Sequence, residues 1–163
     1  QAKLYTTRPP RPGELASDRI FISMDEFTQK VEHGEFVVHG DFGGNSYGFT
    51  HETLHPRDKH LLVNAWPWLV PQFSALPHIV IVGMQAPDDW KPLLTERMQK
   101  RGDDEATIQK RLGLITKDIA DLRSHKDIVE AHGKYFIIKN DTTIGAHIIP
   151  WIVGLLETES SVA

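Results

Sequence analysis

Three short runs, His60-Leu61-Leu62-Val63-Asn64, Ile79-Val80-Ile81-Val82-Gly83 and Tyr135-Phe136-Ile137-Ile138, constrain the fold more than any other feature of the chain. Each is apolar at nearly every central position, so it has no face to offer to water. A strand of that kind has to be covered on both sides, as parallel strands under helices are. The intervening sequence supplies the helices. Trp90 to Arg101 reads as a helix opened by Pro87-Asp88-Asp89 and closed by Gly102. A second runs from about Glu105 to His125, with Ile108, Leu112, Ile115, Ile119 and Leu122 at helical spacing. Ile144 to Glu157 reads as a closing helix, and Trp68 to Leu76 as the crossover between the first two strands. This alternation predicts an α/β sandwich built on a parallel sheet.

The N-terminal part has a different grammar. Arg19 to Ser23 predicts a short strand. Ser23, with Glu26 three residues on, forms a capping box for a helix that runs to Glu32 and stops at Gly34. Glu35 to Gly40 is then a strand, Gly43-Gly44-Asn45 a tight turn, and Ser46-Tyr47-Gly48 the return strand. The expected result is a small meander beside the main body. The 163 residues are read as one domain, with no repeat, linker or low-complexity tract.

Composition excludes several functions. There is no cysteine, so disulfides, thiolate metal sites and a cysteine nucleophile are out, and a reducing cytoplasmic setting fits. A net charge of -4 argues against a general nucleic-acid binder, so an anion site has to be local. No apolar run approaches the roughly 20 residues of a membrane span, and no signal pattern is present. Nine histidines invite a metal, but His51, His55 and His60 lack acidic partners at ligand intervals beyond Glu52 and Asp58, and no metal site is expected. No nucleophile elbow suggests hydrolysis. Lys91, Lys100 and Lys110 read as solvated. Trp66-Pro67-Trp68 either stacks on a base or packs the sheet edge, and packing is the commoner use.

One local anion site stands out. Thr6-Thr7-Arg8-Pro9-Pro10-Arg11-Pro12-Gly13-Glu14 sets two guanidinium groups three residues apart on a backbone that prolines keep from coiling. Arginine's planar, permanently charged fork matches phosphate oxygens, and each such charge-assisted bond contributes about 1.5–3 kcal/mol where water is partly excluded. A Pro-rich tail with scattered charges is the plainer alternative.

With its elements in this order, the chain resembles the guanylate kinase family over nearly its whole length. The family's Thr-Thr-Arg-x-Pro-Arg-x-Gly-Glu is complete at Thr6 to Glu14. Phe21, Ser23 and Phe27 match its Phe-x-Ser-x-x-x-Phe. Phe42-Gly43-Gly44-Asn45-Ser46-Tyr47-Gly48 is close to Phe-x-Gly-Asn-x-Tyr-Gly. Arg97, Arg101-Gly102 and Lys110-Arg111-Leu112 match its lid arginines, and Asn140-Asp141 the end of its last strand. The resemblance implies a P-loop kinase-like three-layer α/β sandwich. It would comprise an acceptor-phosphate segment (1–18), a small mixed β acceptor-binding subdomain (19–58), and a core (59–163) with a helical lid at about 97–112. It further implies ATP with magnesium as cofactors and GMP as acceptor. Arg8 and Arg11, with Glu14 in the same motif and the Tyr47 hydroxyl, would hold the acceptor phosphate. Arg101 and Arg111 would close over the donor's phosphates, Arg97 would assist there, and Asn140 would face the donor base. Read without the family, the lid arginines form a solvated basic face and Tyr47 a sheet-surface aromatic.

Two departures qualify the resemblance. No Gly-x-x-x-x-Gly-Lys-Ser/Thr loop occurs in the sequence, and its place lies before Gln1. The chain is therefore expected to lack the first strand, the phosphate loop and its helix, and not to turn over without them. Secondly, the positions at which the family reads guanine hold Val38, Phe49 and Asn64, with Thr50 one step along as a substitute hydroxyl. Arg19 stands where the family has tyrosine, adding positive charge near the acceptor phosphate. The expected function is ATP-dependent phosphorylation of GMP or a related small phosphorylated acceptor. The alternatives are a ribose 1,5-bisphosphate kinase-like enzyme and an inactive domain that binds a phosphorylated partner.

Overall fold

The structure is a computed structural model that describes residues 2–11, 14, 19–54, 60–138 and 144–160. The chain divides into two compact units, Gln1–Leu76 and Pro77–Ala163.

The first unit is organised on a four-stranded mixed sheet. Strands β1 (Leu4–Thr6) and β2 (Arg19–Phe21) run parallel, while β3 (Phe36–Phe42) and β4 (Asn45–Thr50) form an antiparallel hairpin, in the spatial order β2-β1-β4-β3. The hairpin turns at Gly43 and Gly44, both at positive φ (61° and 81°), the backbone that a tight two-residue connection demands. Helix α1 (Met24–Glu32) begins where its capping box predicts, with the Ser23 hydroxyl accepting the Glu26 N–H at 3.1 Å. Its Phe27 stacks on Phe36 at 4.6 Å, and Tyr5 meets Phe36 edge-on at 5.5 Å, which covers one face of the sheet. The other face carries Phe49, 2% exposed and edge-on to Phe73 at 5.7 Å. Burial of a side chain of that size contributes about 1.5–3 kcal/mol.

Phe73 belongs to α3 (Val70–Ser74), which follows a short α2 (His51–Leu54) and a 3₁₀ turn (Pro67–Leu69). The stretch expected to be a crossover between parallel strands is thus a latch on the sheet. Gln72 accepts the His39 N–H at 3.0 Å and donates to the His39 carbonyl at 2.9 Å. Gly40 allows Trp68 to lie against the strand, since a Cβ there would sit 2.2 Å from Cζ3 of that ring. The strand expected at His60 to Asn64 does not form either. Its backbone is joined to the chain just ahead of β1, where Ala2 N–H donates to the Leu62 carbonyl at 3.2 Å, and Leu62 is 74% exposed. Apolar composition raises strand propensity, but without a neighbouring ladder it cannot make a strand.

In the second unit the other two runs do form parallel strands, β5 (Ile81–Gln85) and β6 (Gly133–Ile137), in register from Ile81↔Gly133 to Gln85↔Ile137. Helices cover both sides of the pair. On one side Gly83 lies against Val129 and Leu122, contributed by α6 (Lys126–His132) and α5 (Glu105–Ser124). On the other, Phe136 meets Trp151 edge-on at 5.7 Å; Trp151 lies on α7 (Ile149–Ser160), which continues a π-helical turn (Ile144–Ile148). Helix α4 (Trp90–Lys100) buries Trp90 and Met98, and α5 starts on Asp104, whose carboxylate accepts the Thr107 N–H at 2.8 Å. Among the described residues no helix is long and apolar enough to cross a membrane.

Candidate functional site

The Thr-Thr-Arg motif is held in place by its own hydroxyls. Thr6 Oγ1 accepts the Arg8 N–H at 3.1 Å, and Thr7 Oγ1 accepts the Ser46 N–H at 2.9 Å while Thr7 N–H donates to the Ser46 carbonyl at 3.1 Å. The chain leaving β1 is therefore stitched to β4, and Arg8 emerges at a fixed place. Its guanidinium holds Glu14 through one nitrogen: Nη2 lies 2.6 and 2.8 Å from the two carboxylate oxygens, and Nη1 donates to the Pro9 carbonyl at 2.7 Å. Arg19, entering from β2, places Nε 2.9 Å from the same Glu14 Oε1. The Arg11 N–H donates to Glu14 Oε2 at 3.0 Å, while the Arg11 side chain is exposed.

Glu14 is thereby the hub of the motif. The hydrogen bonds from Arg8 and from the Arg11 backbone hold its carboxyl down at about 2, against an ordinary 4.5. It stays ionised at any working pH, and the cluster keeps one net positive charge. Arg8 also lies over the Phe21 ring, 5.7 Å from its centroid, and only 12% of its side chain is exposed.

Beside this cluster is a cavity of about 290 Å³ lined by Ala2, Leu4, Glu14, Arg19, Phe49, Asn64, Ala65 and Trp66. It lies near the lower end of small-molecule sites, which run from about 300 to 1,000 Å³. Three of the sequence-chosen residues, Glu14, Arg19 and Asn64, line it. Tyr47 is buried one step behind, its ring 4.5 Å from that of Trp66. Thr50 is occupied elsewhere: its N–H donates to Thr53 Oγ1 at 2.9 Å and its Oγ1 accepts the Thr53 N–H at 3.3 Å, a turn that starts α2. Val38 is fully buried. Trp66 was weighed from sequence as either stacking or packing surface, and it does pack, against Phe42 and Trp68 at 5.4 and 6.0 Å, while also walling the cavity. Ala2 and Leu4 carried no sequence signal as a wall, because their role comes from the start of β1 lying beside β2.

In the second unit two of the arginines expected to form a lid, Arg101 at the end of α4 and Arg111 in α5, face Asp103 in the turn between these helices. Arg101 pairs with Asp103 through Nη2 and through Nε at 3.2 Å, and Arg111 Nε lies 3.8 Å from the same carboxylate. The Arg101 hydrogen bond lowers the Asp103 pKa. Arg97 is exposed near the end of α4, and Asn140 lies outside the described residues. A second polar group, missed in the sequence, sits at the carboxyl end of β5. Gln85 is 5% exposed and accepts from the Tyr135 hydroxyl and from Arg123 Nε, the latter at 3.1 Å, while Arg123 also pairs with Asp88. Carboxyl ends of parallel strands are where α/β folds place ligands. Nothing in the local sequence marks Gln85 as the acceptor of two donors 38 and 50 residues away.

The guanylate kinase family model matches residues 4–133. The chain is 30% identical to guanylate kinase of Xylella fastidiosa (strain 9a5c) over 71% of its own length and 59% of that protein's. It is 26% identical to guanylate kinase of Syntrophus aciditrophicus (strain SB), over 85% of its length and 64% of the relative's. It thus spans about three fifths of the curated relatives it matches. A crystal structure of guanylate kinase from Anaplasma phagocytophilum superimposes with a TM-score of 0.60 at 20% identity, covering 97% of this chain and 74% of that one. That likeness shows the P-loop kinase-like α/β fold that the resemblance implied. With the motif, the fold and the family model in agreement, the chain belongs to the guanylate kinase family.

Proposed function

We propose that the chain is the acceptor-binding and lid portion of a guanylate kinase-like phosphotransferase, acting on GMP or a related phosphorylated acceptor in the cytoplasm. The observation that carries this reading is the convergence of Arg8 and Arg19 on Glu14 beside the cavity. Phosphoryl transfer asks little covalent chemistry of a protein and a great deal of positioning and positive charge. The Arg8–Glu14–Arg19 cluster supplies a fixed positive corner for the acceptor's phosphate, with the exposed Arg11 available to join and Tyr47 set behind Trp66. Arg101 and Arg111, gathered on Asp103, are the charge that would neutralise the donor's phosphates, and Arg97 would assist them; the facing of the donor base by Asn140, which lies outside the described residues, rests on the family resemblance alone.

ATP and magnesium are the cofactors of this reading. The paired guanidinium groups of Arg101 and Arg111 fit a polyphosphate. Among the described residues no group of three or more His, Asp or Glu gathers to hold a metal ion. ATP bound at the lid would supply the phosphoryl group; the residues of this chain would orient the acceptor and screen its charge.

The test is a thermal-shift panel of GMP, AMP, ribose 5-phosphate and a phosphoserine peptide. A nucleotide at 100 times its Kd raises stability by about 2.7 kcal/mol. Stabilisation by a nucleotide that Arg8→Ala abolishes is the expected outcome. A shift from ribose 5-phosphate alone would point to a sugar-phosphate kinase, and one from the phosphopeptide alone to a binding module. No shift from any of the four would refute the phosphate corner.

A further inference from the structure

Resting on that reading, we infer that the cavity of the first unit takes nucleoside monophosphates with little selectivity for guanine, and that Arg19 is the guanidinium offered to their phosphate. Three observations carry this. The first is which cation faces the cavity. Arg8 is committed: Nη2 serves both Glu14 oxygens, Nη1 serves the Pro9 carbonyl, and the group is sandwiched over Phe21 with 12% of its side chain exposed. It does not line the cavity. Arg19 does, with 32% of its side chain exposed, and it forms an ion pair with Glu14, Nε lying 2.9 Å from Oε1. A guanidinium whose Nε edge faces the carboxylate carries two terminal NH₂ groups beyond it, and such a pair grips a phosphate in bidentate fashion. Arg8 is then a positioning residue that fixes Glu14, and Glu14 in turn aims Arg19.

The second observation concerns acceptors. Guanine presents N1–H and the N2 amino group side by side, and a site selective for it needs an unoccupied acceptor, ordinarily a carboxylate, opposite both. The carboxylate among the cavity-lining residues is Glu14, and it is already engaged by two hydrogen bonds from Arg8, one from the Arg11 N–H and the ion pair with Arg19. The third is what replaces it. Asn64 is the neutral polar side chain on the cavity wall. An amide has one donor side and one acceptor side, and can turn either way to suit the 6-amino/N1 edge of adenine or the O6/N1–H edge of guanine. Trp66 and Phe49 give apolar walls that suit any base, because stacking does not discriminate among them.

The experiment is titration calorimetry of the chain with GMP, AMP, ribose 5-phosphate and inorganic phosphate, repeated on Arg19→Gln, Arg19→Lys and Asn64→Asp, each first checked by thermal unfolding. GMP and AMP should bind within about fivefold of each other, since an amide makes one good pair with either base. Arg19→Gln should weaken both nucleotides equally, by about tenfold or more, and Arg19→Lys should recover part of that loss by restoring charge without the fork. Asn64→Asp should move the GMP-to-AMP ratio toward GMP by about tenfold, because a carboxylate accepts from both guanine donors and repels adenine N1. Preference for GMP over AMP by about 100-fold in the unchanged chain would overturn the selectivity claim and leave the kinase reading standing. Equal binding by Arg19→Gln and the unchanged chain would overturn the role of Arg19. Binding of inorganic phosphate without either nucleotide would overturn both this inference and the nucleotide reading on which it rests.

Discussion

Each unit of this chain brings two arginines to one carboxylate, and the two constellations differ in how firmly they are built. Arg8, Glu14 and Arg19 have side chains 12%, 18% and 32% exposed, with Arg8 Nη2 within hydrogen-bond reach of both carboxylate oxygens and a further donor in the Arg11 backbone. Arg101 and Arg111 are 54% and 49% exposed around Asp103, and Arg111 stands 3.8 Å off, beyond hydrogen-bond reach. The charge sum is the same, one excess positive charge in each. In the first unit the arginines come from the chain leaving β1 and from the start of β2, and Arg8 is braced by the Thr6 hydroxyl; in the second, Arg101 caps α4 and Arg111 projects from α5. A rigid corner suits a group that must be positioned before reaction, and a loose pair suits one that changes partners when a lid closes. Exposed pairs of the second kind contribute little to stability, whereas withdrawing one member of a partly desolvated cluster strands the others.

The sharpest way to break this contrast is Gly40→Ala. The added Cβ would sit 2.2 Å from Trp68 Cζ3, against a ring that stacks on the cavity-wall Trp66. Overpacking of this kind costs about 1–3 kcal/mol. Amide exchange in β3 and β4 should accelerate while α5 stays protected; equal acceleration in both units would mean that they do not unfold separately. Next in size is Glu14→Gln, which leaves Arg8 and Arg19 facing each other. It should lower Tm by about 5 °C, where Asp103→Asn lowers it by about 1 °C or less. Equal shifts would remove the contrast.

The acid limb of stability sharpens it further. The folded-state pKa of Glu14, about 2, lies below its ordinary 4.5. Its contribution is therefore complete above about pH 4.5 and is lost as pH falls toward 2. Denaturant midpoints taken from pH 5 down to pH 2.5 should fall for the unchanged chain, and less steeply for Glu14→Gln. The smallest effect is expected at Asp118. Its Oδ1 has no hydrogen-bond partner among the described residues, and burial, with the Asp121 charge added, raises its pKa. A raised carboxyl favours folding only at low pH, so Asp118→Asn should stabilise the chain slightly at pH 7, by about 0.5 kcal/mol. A loss of stability there would mean that the carboxylate is paired after all.

How much of this was legible beforehand follows the range of the interactions. The α1 cap, the Gly43-Gly44 turn and the start of α5 at Glu105 were readable because each is settled within about four residues. The arginine motif was readable as a phosphate grip, but the sequence could not tell which arginine would be spent on Glu14, because that depends on β2 lying beside β1. His60 to Asn64 looked like Ile79 to Gly83 in composition. Only the second run found a parallel partner, 52 residues on, in the register that pairs Ile81 with Gly133. Helix α6 went unread because its seven residues, Lys126 to His132, show no long apolar period and pack on β5, which lies more than 40 residues earlier in the chain. Likewise Trp66 declared itself as an aromatic, not as a wall.

The central claim is that the first unit, not the lid, fixes the acceptor's phosphate. Titration calorimetry of GMP against the unchanged chain, Arg19→Gln and Arg101→Gln, at one salt concentration, tests it most directly. The account predicts a loss of about tenfold or more in Arg19→Gln and less than about twofold in Arg101→Gln. A greater loss in Arg101→Gln, or no loss in Arg19→Gln, would contradict it.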